Sequence, residues 1–136
     1  MYSNHKKYHK PISILVIIIL LSFMFSINTY AASTTWNLYK TQTESKSNTL
    51  GLYKKGRIDH LSNNPGSNDG VNLYLEYSIP GEGWKQAQHV FAEPGYRVSA
   101  TTYYTASSKS SWRGKMNSWW IGGKNCSAGG GITATN

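Results

Sequence analysis

Beyond Ala32 the chain alternates hydrophobic and polar residues with a period of two, and Val71 to Ser78 is its cleanest run. Val71, Leu73, Leu75 and Tyr77 fall on one face, with Asn72, Tyr74, Glu76 and Ser78 on the other, as a half-buried strand requires. Pro80-Gly81-Glu82-Gly83 follows as a turn, because Pro presets φ and Gly tolerates positive φ, and a partner strand is predicted over Trp84 to Phe91. The two form a hairpin. Glu93-Pro94-Gly95-Tyr96 repeats the device, with Pro and Gly at the central positions of a type II turn. Tyr96 to Thr105 alternates again and predicts a third long strand. Ala106 to Ser111 reads as a polar loop, and Trp112 to Ile121 as a fourth strand closed by Gly122-Gly123-Lys124-Asn125. The glycines at 129, 130 and 131 predict that any last strand, Gly131 to Thr135, is weak and peripheral.

The first third carries shorter signals. Thr34 to Thr41, Leu50 to Lys54 and Arg57 to Leu61 have strand composition, with the polar run Gln42 to Asn48 between the first two. Ser62 to Gly70 is rich in turn formers and lacks a large apolar anchor, so it is expected to be the loosest internal loop. No helical stripe longer than about two turns and no internal repeat is present. About seven short strands punctuated by turns predict an all-β fold, a small antiparallel β-sandwich, with a small β-barrel as the alternative.

The N-terminus changes where this domain is expected to work. Lys6, Lys7 and Lys10 precede an apolar stretch from Ile12 to Ile27, and Thr29-Tyr30-Ala31 is a small-residue cleavage site. This is the layout of a secretory signal peptide. The apolar stretch is shorter than the roughly 20 residues a membrane-spanning helix needs. Residues 1–31 are therefore expected to be removed, leaving 32–136 as a single secreted β-domain. Cys126 is the only cysteine. No intrachain disulfide can form, and export without disulfides fits a Gram-positive secretome better than a eukaryotic one.

Charge sharpens the picture. The chain holds 14 Lys and Arg against 6 Asp and Glu. Three of the cations lie in the leader and no acid does, so the domain keeps 11 against 6. Everything from Ala32 to Glu93 balances to zero, and the excess comes from Arg97, Lys109, Arg113, Lys115 and Lys124, an acid-free segment that also contains Tyr96, Tyr103, Tyr104, Trp112, Trp119 and Trp120. Alternation places Arg97 with Tyr103, and Arg113 and Lys115 with Trp119, while Trp120 falls with Trp112 and Met116 on the core side.

Basic and aromatic residues interleaved on one sheet face attract anionic polymers by charge and stack sugar rings. The candidate binding residues are Arg97, Tyr103, Arg113, Lys115 and Trp119. An exported chain meets a cell envelope, so the expected partner is an anionic or glycan polymer of that envelope, or an anionic membrane surface, and nucleic acid is not expected. A bacteriocin-like antibacterial role is one form of this reading. The alternative is a proteinaceous inhibitor of an extracellular enzyme, with Ser62 to Gly70 or Ala106 to Ser111 as its inserted loop.

Catalysis has little support. Cys126 lacks an adjacent base, with His60 and His89 distant in sequence, and reads as an inert thiol. No cofactor is expected, and no His or carboxylate spacing matches a metal site. Asn63, Asn64, Asn68 and Asp69 are better explained as turn formers than as calcium ligands. The side chains of Asp59 and His60 are expected to diverge.

Overall fold

The computed structural model describes residues 30–119 and 125–136. They form eight strands and no helix: β1 (Ala32–Leu38), β2 (Glu44–Lys46), β3 (Leu50–Asn63), β4 (Val71–Ser78), β5 (Lys85–Ala92), β6 (Arg97–Val98), β7 (Tyr104–Ser118) and β8 (Ala128–Thr135). All pairings are antiparallel, in the order β1-β8-β3-β7-β4-β5, with β2 added to β7 and β6 to β3. The sheet does not close into a barrel.

The long strand β3 makes it fold over. Leu50 to Gly56 pairs with β7, whereas Lys55 to Asn63 pairs with β8, so one strand serves both layers. The layers then meet through glycines. An added Cβ at Gly130 of β8 would stand 2.6 Å from Leu73 and 3.1 Å from Met116 across the interior, and one at Gly114 of β7 would stand 1.9 Å from the Trp36 ring of β1. Leu38, Ile58, Leu61, Val71, Leu73, Leu75, Trp112, Met116 and Ile132 fill the space between. Trp112 is wholly buried and donates its Nε1 hydrogen to the Tyr53 carbonyl at 2.9 Å, which satisfies its polar tip.

β4 spans the predicted residues, and its hairpin with β5 is present. Both Pro-Gly turns adopt the expected form: Gly81 and Gly95 have φ of 87° and 84°, and Glu82 and Tyr96 donate back to Ile79 and Glu93. Three expectations change. The strand over Tyr96 to Thr105 is broken: Arg97–Val98 forms β6, Ala100 then turns its N–H to the Ile58 carbonyl, and Tyr104 and Thr105 already belong to β7. Ala106 to Ser111 belongs to β7, although residues 106–109 all bulge opposite the single residue Lys54, whose ammonium caps the Ser107 carbonyl. The last strand is not peripheral, since β8 lies between β1 and β3 with most of its residues buried.

Ser62 to Gly70 is tied down by hydrogen bonds rather than apolar packing. Asn63 Nδ2 donates to the carbonyls of Asp69 and Ala92, both at 3.0 Å, and Ser67 exchanges hydrogen bonds with Ser127. Asn64 Oδ1 and Asp69 Oδ1 accept from the Gly66 and Gly70 amides, which is turn chemistry.

Candidate functional site

Three of the five sequence-derived binding residues share one surface. Arg113, Lys115 and Trp119 project from the solvent side of β7, while Trp112, Gly114, Met116 and Ser118 between them are buried. Cross-strand register extends this surface over four strands. Lys46 and Glu44 of β2 oppose Lys115 and Asn117, and on the other side Glu76, Tyr74 and Asn72 of β4 oppose Arg113, Lys115 and Asn117. His89 and Phe91 of β5 complete it beside Tyr74 and Asn72.

The side chains interlock. Glu76 accepts from Arg113 Nε at 2.8 Å through one oxygen and pairs with Lys115 Nζ at 3.3 Å through the other. The Arg113 guanidinium also lies 4.0 Å from the centre of the Trp84 ring, and the Lys115 ammonium 5.4 Å from that of Tyr74. Tyr74 stacks on His89 at 4.7 Å, and the His89 ring is fixed in turn by a 2.7 Å hydrogen bond between its Nε2 and Asn72 Oδ1. At the far end Phe91 and Trp119 meet edge to face at 5.2 Å. Trp119 is 60% exposed, the most open aromatic of the group. On β2, Lys46 hydrogen-bonds Glu44 at 2.9 Å and holds that carboxyl below its ordinary value.

The result is a stacking surface more than a charged one. Two cations of β7 share the single carboxylate of Glu76, so half of their charge is answered locally. The aromatic tips of Trp84, Phe91 and Trp119 remain open. Six residues separate Arg113, which carries Trp84, from Trp119, about 20 Å at roughly 3.3 Å per residue.

Arg97 and Tyr103 lie elsewhere. Because the strand over Tyr96 to Thr105 is broken, alternation does not hold between them. Arg97 sits on β6 opposite Ser62, and Tyr103 is covered by the Arg57 guanidinium at 4.7 Å. Trp120 and Lys124 fall outside the described residues.

Sequence reasoning missed Trp84, Tyr74, Glu76, His89 and Phe91 as members of this surface. The alternation of β4 does put Tyr74 and Glu76 opposite the core, but that β4 lies beside β7 is a non-local fact.

Cys126 is wholly buried, its Sγ donates to the Asp69 carbonyl at 3.4 Å, and burial pushes its thiol pKa up. Neither histidine is its partner. His60 lies over Gly131 and His89 belongs to the outer surface. A bulge between Ile58 and His60 turns both Asp59 and His60 away from the core, where divergence was expected. Asp59 is then occupied by Arg57 at 3.1 Å and by Thr133 Oγ1 at 2.6 Å. Among the described residues no group of three His, Cys, Asp or Glu is placed to hold a metal ion.

No protein-family model matches the chain, and no curated protein matches it. Among solved structures it is similar to the Yersinia pseudotuberculosis-derived mitogen (YPM), with 17% identity over 79% of this chain and 87% of that one and a TM-score of 0.45. It is also similar to PirA, with 10% identity over 82% of this chain and all of that one and a TM-score of 0.47.

Proposed function

We propose that this protein is a secreted, non-enzymatic binding domain that attaches to a polymer of a cell envelope or extracellular matrix through the outer surface of β2, β7, β4 and β5. The supporting observation is the line of aromatic rings from Trp84 past Tyr74 to Phe91 and Trp119, held by the Arg113-Glu76-Lys115 cluster. A ligand that touches the whole line is extended, which suits a polymer chain better than a small molecule. Ring faces offer stacking to sugars, and the amide, carboxylate and guanidinium groups between them match hydroxyls and scattered anionic groups. Because Glu76 offsets one of the two cations it holds on this surface, while three aromatic rings stay open, stacking contributes more to this binding than charge does.

Co-sedimentation of the mature domain with purified cell walls, soluble wall glycans and anionic lipid vesicles, at low and high salt, tests the proposal. Retention on walls or glycans that survives high salt is the expected result. A stoichiometric complex with a secreted protease or glycosidase, without wall binding, would replace this reading with the inhibitor.

A further inference from the structure

A second candidate site lies on the other layer, where β1, β8 and the end of β3 meet the loop after β3. It is an open hollow of about 420 Å³, within the roughly 300 to 1,000 Å³ of small-molecule sites. Gly129 forms its floor. Of the three successive glycines in β8, Gly130 is required by the buried Leu73 and Met116, and Gly131 by the His60 ring, 2.6 Å from where a Cβ would stand. Gly129 meets only the exposed Asn37 Oδ1, at 3.2 Å, so interior packing does not demand a glycine there. A side chain at 129 would instead rise into the hollow.

The walls are preformed. Asn64 is fixed by its amide, which donates to the Ser127 carbonyl at 2.8 Å, and by Oδ1, which accepts from Gly66. Pro65 packs against Gly95 of the second Pro-Gly turn. Opposite them stand Asn37 and Tyr39, the latter 59% exposed, joined by a long Asn37 Nδ2 to Tyr39 Oη hydrogen bond of 3.5 Å. Five polar groups on the lining residues have no hydrogen-bond partner among the described residues: Asn37 Oδ1 and the buried Asn63 Oδ1, acceptors; Asn64 Nδ2, a donor; and the Ser62 and Ser127 hydroxyls, which are both. No charged side chain lines the hollow.

We propose that this hollow binds one uncharged sugar unit. An ion would find no countercharge, and an apolar ligand would strip water from these amides and hydroxyls without replacing their hydrogen bonds. A neutral sugar offers paired hydroxyls that donate and accept, with a ring face for Tyr39. The site is independent of the outer aromatic surface and does not rest on the polymer-binding proposal.

Titration of the ¹⁵N-labelled domain with D-glucose, D-galactose, D-mannose and N-acetyl-D-glucosamine, with D-glucuronate as the charged control, tests this by NMR. The expected result is saturable millimolar binding of at least one neutral sugar, read at the Gly129 amide and the Asn64 side-chain amide. Tyr39→Ala should weaken it about tenfold or more, Gly129→Val should abolish it, and Trp119→Ala should leave it unchanged. Absence of saturable shifts with all four neutral sugars, preference for glucuronate, or binding that survives both Tyr39→Ala and Gly129→Val would overturn the proposal. Tyr39 is exposed, so its variant keeps the test valid if Gly129→Val fails to fold.

Discussion

The Arg113 guanidinium lies 4.0 Å over the Trp84 ring while its Nε hydrogen-bonds Glu76, which joins the hairpin turn to the central strand β7. One side chain thus sets an aromatic ring and a carboxylate at fixed positions on the same outer surface. Glu76 is 9% exposed and holds Lys115 as well. The charge of the surface therefore depends on that carboxylate.

Glu76→Gln is expected to release both cations. Stability should fall by about 1 to 3 kcal/mol, since the amide keeps one acceptor oxygen but no charge and turns an NH2 donor toward one of the two half-buried cations. Binding to an anionic polymer should become more salt-dependent, because freed cations make new phosphate or carboxylate contacts. Chemical denaturation measures the first effect and binding at several salt concentrations the second.

The glycines of β8 and β7 give a graded packing test. Gly114→Ala and Gly130→Ala drive a methyl into Trp36 and Leu73 respectively and should each cost about 1 to 3 kcal/mol. Gly129→Ala meets only the tip of an exposed asparagine and should stay within about 0.5 kcal/mol of wild type. Three equal denaturation midpoints would contradict the placement of β8 inside the sheet.

Trp112 of β7 and Trp119, the residue after its end, should part company in stability. Trp112→Ala empties a wholly buried site, removes the Nε1 donor from the Tyr53 carbonyl and is expected to cost about 3 to 5 kcal/mol. Trp119→Ala removes a mostly exposed ring and should leave the thermal midpoint nearly unchanged.

Cys126 is expected to resist thiol reagents in the folded protein and react on unfolding. Its pKa is raised by burial, so folding keeps the proton on sulfur. The sign follows: this stabilisation is whole below the unfolded thiol pKa and is lost as pH rises through the folded one. Labelling with a chromogenic disulfide reagent, with and without denaturant, checks the protection, and the alkaline limb of a pH-stability profile checks the sign. Cys126→Ser should fold.

Local signals carried part of this fold and failed where distant partners decide. β4 and both Pro-Gly turns were legible because alternation and the φ preferences of Pro and Gly act within a few residues. Leu50 to Lys54 and Arg57 to Leu61 read as two short strands, yet β3 runs through both, and the missing side chain of Gly56 between them admits the Trp112 ring. The glycine run of β8 misled for the same reason: glycine is poor in an isolated strand and necessary where Leu73, Met116 and His60 crowd against the backbone. Tyr96 to Thr105 alternates convincingly, but most of it has no neighbouring strand to pair with. Of the site, Arg113, Lys115 and Trp119 were legible from the alternation of β7. The carboxylate that pairs with two of them was not, since Glu76 reaches β7 only through the order of strands in the sheet.

The central claim is tested most directly by the affinity of the mature domain for purified cell walls and wall glycans, compared between wild type and the Phe91→Ala/Trp119→Ala double variant at low and high salt. The predicted result is a loss of tenfold or more in the variant at both salt concentrations, with circular dichroism and thermal midpoint preserved. Each ring contact is expected to contribute about 0.5 to 1.5 kcal/mol beyond the area it buries, and it carries no net charge for salt to screen. Equal binding by wild type and variant, or binding by neither at any salt concentration, would contradict the account.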